Sequence, residues 1–345
     1  ICAGNALDCD GGEEDLLIHV PDLRQLSLCD AEIHLMTNES VHILLRDANW
    51  EDVPDDRQGL TYEPAGTFQT VGIGFENACG LTTDGEAFCW GNNRAFLNIT
   101  PEGSFIQLAS TYAFACGLRA DHTLDCWGFC YGPTSPPCEP DPGFESGEWS
   151  DIRGNNWGIC GVRADGSMLC YGHAISDLSI GDPGDTFTTV APGYCHVCGI
   201  TTDGEVKCAS DCQDYEYSGQ DIPVAGQYDE IACGEFHTCG LTGDGEIVCW
   251  GADGGGQADV PPGTWIAVYA SYDVSCGMRP DHTVACWGNS EFLPTHLVPP
   301  DVPFLDFTIG PFGVCGVHLD GTLECWNEGR LSIPLSEPLQ KISGF

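Results

Sequence analysis

At 345 residues the chain can hold one large domain or two ordinary ones, and none of its segments approaches the roughly 18 apolar residues that a membrane span needs. Its 52 acidic and 11 basic residues give a formal net charge of −41. That field repels phosphate backbones and anionic headgroups, which argues against nucleic acid and plain membrane surfaces as partners. The 22 cysteines, an even number at regular spacing, argue against a reducing cytosol and for export through an oxidising compartment to the cell surface or extracellular space.

The first residues, Ile1-Cys2-Ala3-Gly4, carry neither the basic stretch nor the apolar run of a signal peptide, so any leader is expected to have been removed already. Residues 1–60 lack the pattern that governs the rest. Leu35 and Leu45 stand ten apart and Trp50 follows, the outline of a decayed repeat; a small β-appendage accounts for the segment equally well. Asn38-Glu39-Ser40, and later Asn98-Ile99-Thr100, match the N-glycosylation sequon of exported proteins. Asp8–Asp15 and Asp253–Asp259 are acidic, glycine-rich stretches of Ca²⁺-binding character that lack full EF-hand spacing.

Residues 61–345 read as seven copies of one unit. Each copy holds a Cys-Gly, a central Asp and a second Cys ten positions after the first. The pairs are Cys79 and Cys89, Cys116 and Cys126, Cys160 and Cys170, Cys198 and Cys208, Cys239 and Cys249, Cys276 and Cys286, and Cys315 and Cys325. Pairing Cys79 directly with Cys89 leaves Thr83-Asp84-Gly85 as a three-residue hairpin loop, a type I turn followed by a left-handed residue. Gly85 suits that place because it has no Cβ to clash. His122 and His282 replace the glycine in two copies, and His tolerates positive φ better than most residues. Directly opposed residues of an antiparallel pair are close enough for a disulfide, so each copy predicts a hairpin pinned across its strands. The turn aspartates Asp84, Asp121, Asp165, Asp203, Asp244, Asp281 and Asp320 are read as turn formers rather than as a carboxylate site.

A short apolar strand opens each copy, as in Phe68-Gln69-Thr70-Val71 and Trp265-Ile266-Ala267-Val268, and polar loops rich in Gly and Pro separate the copies. Three strands in about 40 residues, with no helical periodicity, indicate a closed radial array.

The aromatic-led strand, the Cys-Gly, the Asp-Gly turn and the Cys-Trp-Gly ending resemble the RCC1 repeat over residues 66–345. The compact length is similar to that of secreted bacterial RCC1-like propellers, the β-lactamase-inhibitory type among them. Nuclear RCC1 usually has apolar residues where this chain has its cysteine pair, which suits an extracellular relative. The resemblance implies an all-β, seven-bladed β-propeller with one cross-strand disulfide per blade, and it implies no single function. Pro338–Phe345 reads as a further opening strand. It is expected to close the ring by pairing with the other chain end, an eight-bladed ring being the lesser alternative.

Eight cysteines lie outside the pairs: Cys2, Cys9, Cys29, Cys130, Cys138, Cys195, Cys212 and Cys233. Proximity favours Cys2–Cys9, Cys130–Cys138 and Cys195–Cys212. Cys29 and Cys233 then pair, or one or both stay free. Cys195, Cys198, Cys208 and Cys212 have zinc-like spacing, but a blade disulfide beside a second staple is the simpler reading. His196 and His237 share one repeat position, two residues before the first Cys, and are assigned structural hydrogen bonds. Gly-x-Ser-x-Gly, HExxH and phosphate-loop motifs are all missing, so the chain reads as a binding protein and not an enzyme, with no cofactor beyond the Ca²⁺ already considered. Its inter-repeat loops bring Tyr112, Trp157, Tyr194, Tyr215, Tyr217 and Tyr272 to a docking surface for a protein or glycan. The alternative is a structural subunit that joins copies of itself into a filament through its terminal strands.

Overall fold

The structure, a computed structural model, describes residues 16–18, 31–37, 40–45, 66–74, 77–91, 100–111, 114–128, 144, 147–155, 157–172, 175, 178, 180–212, 219–289, 299, 301–310 and 313–327. The chain divides into two units, Ile1–Arg57 with Leu335–Phe345, and Gln58–Pro334. In the first, strands Leu16–Ile18, Ala31–Thr37 and Ser40–Leu45 form one antiparallel sheet with the last strand central. Leu45 pairs with Ala31 and Leu35 with Val41, so the ten-residue interval between the two leucines does not reproduce the cysteine register.

The second unit is a ring of seven three-stranded antiparallel sheets, each made of consecutive strands. Blades 1 to 7 take residues 68–91, 107–128, 149–172, 187–210, 230–251, 267–288 and 304–327. In every blade the middle and outer strands pair with the two cysteines directly opposite one another. The disulfides are Cys79–Cys89, Cys116–Cys126, Cys160–Cys170, Cys198–Cys208, Cys239–Cys249, Cys276–Cys286 and Cys315–Cys325, and each joins Cα atoms 4.0–4.1 Å apart. The first cysteine of each pair lies on the middle strand and is fully buried. The second lies on the outer strand, where Cys170 is buried and Cys89, Cys126, Cys208, Cys249, Cys286 and Cys325 are half-buried. Each such link closes a ten-residue separation, which on chain-entropy grounds stabilises by about 2–3 kcal/mol.

The hairpin loop has the expected form. Thr82 N–H bonds to the Glu86 carbonyl, and Gly85 N–H returns to the Thr82 carbonyl with Gly85 at φ 84°. His122 and His282 sit at φ 69° and 66°. This left-handed residue also builds the ring, because its carbonyl points outward and accepts the N–H of the aromatic residue that opens the next blade. Gly85 receives Phe105, His122 Trp149, Gly166 Phe187, Gly204 Tyr228, Gly245 Trp265 and His282 Phe304, at 2.7–2.9 Å. The seventh bond, Phe68 N–H to the Gly321 carbonyl at 2.8 Å, joins blade 7 to blade 1. Blade 7 thus meets blade 1 directly through this bond; Pro338–Phe345, expected to pair with the other chain end, lie outside the described residues. Seven blades, not eight, complete the ring.

The core is seven separate inter-blade layers rather than one mass. In a representative layer Cys79, Leu81 and Ala87 of blade 1 pack on Phe105, Ala115 and Trp127 of blade 2. The opening aromatic lies flat on the Cys-Gly glycine of its own blade. A Cβ on Gly80, Gly161 or Gly199 would come 2.6–2.8 Å from the Phe68, Trp149 or Phe187 ring, and the other four blades repeat the conflict. This is the physical reason that Cys is followed by Gly in all seven copies.

Candidate functional site: the channel and the two faces of the ring

Each inner strand runs from the turn face of the ring to the opposite mouth, and the seven together enclose a channel of about 250 Å³. Two residues after the opening aromatic stand Thr70, Gln107, Asp151, Thr189, Glu230, Ala267 and Asp306. Several of them tie one blade to the next. Asp306 accepts Val71 N–H (3.0 Å), Gln107 accepts Ile152 N–H (3.1 Å), and Glu230 accepts Val268 N–H (3.0 Å). Asp151 takes Gln107 Nε2 at 2.8 Å and Thr189 Oγ1 at 2.7 Å. Two positions further on, small residues such as Ala191 and Ala232 leave the channel open, whereas Arg153 and Tyr269 enter it. The fourteen blade cysteines are not part of this lining, so they pin the hairpins and contribute no group to the channel.

Arg153 pairs with Asp151 at 3.4 Å and stays half-exposed to the channel. Burial raises the pKa of Glu230 and of Asp306, and the Arg153 charge offsets part of the rise in each. Burial also holds the Tyr269 phenol well above its usual range. At the mouth, Glu235 is raised by burial and then by Asp273. Trp157 meets Tyr194 edge-on at 4.8 Å, and Tyr194 meets Phe236 in the same way at 5.7 Å. Tyr272, at φ 47°, lines the same mouth beside Glu235, whose N–H bonds to the Tyr272 carbonyl.

The turn face has a different character. All seven turn aspartates are exposed there. In four of them one carboxylate oxygen accepts both the backbone N–H and the hydroxyl of the residue two places on, as with Asp281 and Thr283 at 3.0 and 2.7 Å. These bonds hold the carboxyls of Asp121, Asp165, Asp281 and Asp320 below the usual value. In the other three blades a Thr hydroxyl accepts the N–H of Glu86, Glu205 or Glu246 instead. Ile106, Ile266 and Leu305 follow opening aromatics at this face and Leu319 sits in a turn; they are 53%, 45%, 47% and 55% exposed.

The zinc reading fails on chemistry. Cys195 is bonded to Cys212, with Cα atoms 5.3 Å apart, and Cys198 to Cys208, so none of the four offers a thiolate. Cys233 is a free, buried thiol whose pKa burial pushes up to about 12. It lies close to His196 and Cys198, but the latter is consumed in its disulfide. His196 Nε2 lies 3.0 Å from Thr238 Oγ1, and His237 Nε2 lies 2.9 Å from Ser275 Oγ. Each hydroxyl in turn donates to a carbonyl, Gln220 or Gln257, that also receives a tryptophan indole N–H. Burial lowers the two imidazoles to about 4 and about 3, so both are neutral at pH 7. Asp253 Oδ1 accepts Ala258 N–H at 2.9 Å and so serves to close its own loop. Asn38, Asn98, Tyr112, Tyr215, Tyr217, Cys2, Cys9, Cys29, Cys130, Cys138 and Asp8–Asp15 lie outside the described residues.

The channel was not anticipated from the sequence. The aromatic-x-polar phase of the inner strands was the available signal: stacking the seven copies on their opening aromatics lines up Asp151, Glu230 and Asp306.

The architecture defines a seven-bladed, disulfide-stapled β-propeller. A family model described as the regulator of chromosome condensation (RCC1) repeat matches residues 68–95 and 229–257, that is, blades 1 and 5 with the residues beside them. The crystal structure of the CRINKLY WD40 ectodomain of the Arabidopsis thaliana receptor kinase ACR4 is similar at 25% identity and a TM-score of 0.61, over 77% of this chain and 96% of that one. The entire ectodomain of the Physcomitrella patens receptor kinase CR4 is similar at 22% identity and a TM-score of 0.63, over 75% and 72%. Prp20p from Saccharomyces cerevisiae, described with its binding to Gsp1p and histones, shares the fold at 13% identity and a TM-score of 0.57, over 74% and 81%. No curated protein matches the sequence. The fold is thus that of a β-propeller, and its repeats are RCC1-like.

Proposed function

We propose that this is a secreted, non-enzymatic protein-binding module that docks a basic, partly apolar protein surface on the turn face of its ring. The observation that carries the reading is the placing of four exposed apolar side chains, Ile106, Ile266, Leu305 and Leu319, among seven exposed aspartates on one rigid face. Apolar anchors inside a charged rim are the anatomy of a docking surface, and a net charge of −41 selects a basic partner and speeds its approach. Eight disulfides among the described residues support an extracellular setting. Within this reading residues 61–345 are the binding propeller and residues 1–60 a β-appendage. Each described blade is built from three consecutive strands of the chain itself.

The test is affinity capture from the extracellular fraction with wild-type protein and with an Ile266→Asp, Leu305→Asp double variant. The expected result is a basic protein that wild type retains and the variant loses, while a Trp157→Ala variant at the opposite mouth still retains it. Retention that ignores the turn-face substitutions overturns the proposal.

A further inference from the structure

The seam between blades 4 and 5 departs from the others in two ways, and both concern one disulfide. Among the described residues Cys233 is the free cysteine, and it is buried in the layer that also holds Cys198 and Cys208. The sulfurs of Cys233 and Cys198 lie within 4.8 Å of each other. They flank one hydroxyl: Thr238 Oγ1 is 3.7 Å from Cys233 Sγ and 3.8 Å from Cys198 Sγ. The next seam repeats this arrangement without a thiol. There Ser275 Oγ lies 2.9 Å from His237 Nε2 and 3.4 Å from Cys239 Sγ, and the residue paired with Ser275 across the ladder is Ala270, where Cys233 pairs with Thr238. Cys233 is thus an addition to an arrangement that is complete without it, and it is set against a disulfide. The second departure is the staple Cys195–Cys212, which joins the chain entering the middle strand of blade 4 to the chain leaving its outer strand. Among the described residues the other blades carry the cross-strand link alone.

We infer that Cys233 exchanges into the Cys198–Cys208 disulfide, which turns a pin within blade 4 into a tie between blades 4 and 5 and frees Cys208 as an attachment site for a second, disulfide-bearing molecule. Cys233 Sγ gives up its proton and attacks Cys198 Sγ. The Cys198–Cys233 bond forms, the Cys198–Cys208 bond breaks, and the Cys208 sulfur leaves as a thiolate that takes up a proton. One disulfide replaces another, so the step needs neither oxidant nor reductant. The freed Cys208 thiolate then attacks a disulfide of the second molecule, forms a mixed disulfide with one of its sulfurs and releases the other as a thiol. Cys198 and Cys233 are buried, whereas Cys208 is half-buried on the outer strand and is the sulfur that a second molecule reaches. Cys195–Cys212 keeps that outer strand covalently held while its own pin is open. The new bond also encloses a longer stretch of chain than the old one, which favours it on loop entropy. Burial holds the Cys233 thiol protonated, with its pKa pushed up to about 12, so the exchange is slow and the starting disulfide persists.

The test holds the native, full-length protein in iodoacetamide without added thiol, stops the reaction with acid, and maps labelled and bonded cysteines by peptic digestion and mass spectrometry. Label on Cys208 and a Cys198–Cys233 linked peptide are expected to accumulate together. Cys233→Ala, which copies the Ala270 arrangement, is expected to keep Cys198–Cys208 and to lose the label on Cys208. Ala270→Cys sets a thiol against Cys239–Cys249 and is expected to bring label onto Cys249. Label on Cys233 with Cys198–Cys208 intact, Cys233 found bonded to Cys29, no label on native wild type, or undiminished label on Cys208 in Cys233→Ala overturns the proposal. Should Cys233→Ala not fold, a Cys249 that stays unlabelled in Ala270→Cys overturns it instead. Glutathione disulfide in place of iodoacetamide is expected to leave one glutathione on Cys208 in wild type, and no such adduct overturns the attachment role.

Discussion

The two ends of the blades solve the same problem differently. At the turn end one backbone device is used seven times: a left-handed residue aims its carbonyl at the N–H of the next opening aromatic. At the mouth end each blade finds its own arrangement. Blades 4 and 5 bury His196 and His237 against hydroxyls of the following blade, blade 3 caps its hairpin with Asn155 Oδ1, and blade 6 turns through Tyr272 at positive φ. The turn end thus joins every pair of neighbouring blades by the same backbone bond, to which only His122 and His282 add a side-chain bond. The mouth end, relieved of closure, varies in both backbone and side chain and holds the acidic, aromatic channel entrance.

The largest effect is expected where the turn-end scheme meets the core. Gly161→Ala drives a Cβ to 2.6 Å from the Trp149 ring and 3.0 Å from the Asp151 carbonyl, an overpacking that should cost about 3 kcal/mol in a denaturant titration. A loss below about 1 kcal/mol would mean that the aromatic is free to move and that the glycine is not forced by packing.

Removing the mouth-end staple with Cys195→Ser and Cys212→Ser should cost about 3 kcal/mol from a 17-residue separation. Removing Cys276–Cys286 should cost about 2–3 kcal/mol from ten. The two should differ more in spectrum than in stability. Only the first variant loosens the chain beside Tyr194, so only it should reduce the near-ultraviolet dichroism of the Trp157–Tyr194–Phe236 row.

Acid separates the ends further. His196 and His237 have folded values depressed from 6.5 to about 4 and about 3. Their neutral state is therefore stabilising above pH 6.5, and that contribution is lost as the pH falls from 6.5 towards those values. Gln at either position should flatten the stability profile between pH 6.5 and 4; an unchanged profile would show that the rings are not the groups responsible. The carboxyls of Asp121, Asp165, Asp281 and Asp320 are likewise depressed, from 3.8. Their contribution is present above pH 3.8 and is lost only below it. Asp281→Asn should therefore alter the profile at the acid extreme alone. Thr242→Ala, which removes the hydroxyl lock of a Thr-Glu turn, should cost about 1 kcal/mol at every pH.

The smallest effect concerns the two histidine turns. His122 Nδ1 donates to the Trp149 carbonyl at 2.7 Å and His282 Nδ1 to the Phe304 carbonyl at 3.0 Å. Each adds an inter-blade bond that glycine lacks, against the strain of positive φ. Since a hydrogen bond contributes about 1 kcal/mol net and a left-handed non-glycine residue costs roughly 1–2 kcal/mol, His122→Gly should change stability by about 1 kcal/mol or less. A larger loss would make the histidine bond a main tie between blades 2 and 3.

The repeat, the hairpin with its three-residue loop, the seven cross-strand disulfides and the count of blades were all legible in the chain, because each depends on residues within about a dozen positions of one another. Gly85 and its counterparts announced a left-handed turn by their chemistry alone. The Cys-Gly glycine could be noticed but not explained until the opening aromatic of the same blade was seen lying on it. The bond that joins blade 7 to blade 1, Phe68 N–H to the Gly321 carbonyl, could not be read from the chain because it joins backbone atoms some 250 residues apart and leaves no mark on side-chain identity. The channel was hidden for a related reason. Thr70, Glu230 and Asp306 belong to different copies and look like ordinary polar positions on short strands; only closure of the ring brings seven inner strands around one axis and turns scattered residues into the lining of a single space. Local spacing and turn chemistry thus determined the blade, and the closed tertiary arrangement decided which faces and which carboxylates came together, because a channel is a property of all seven blades at once.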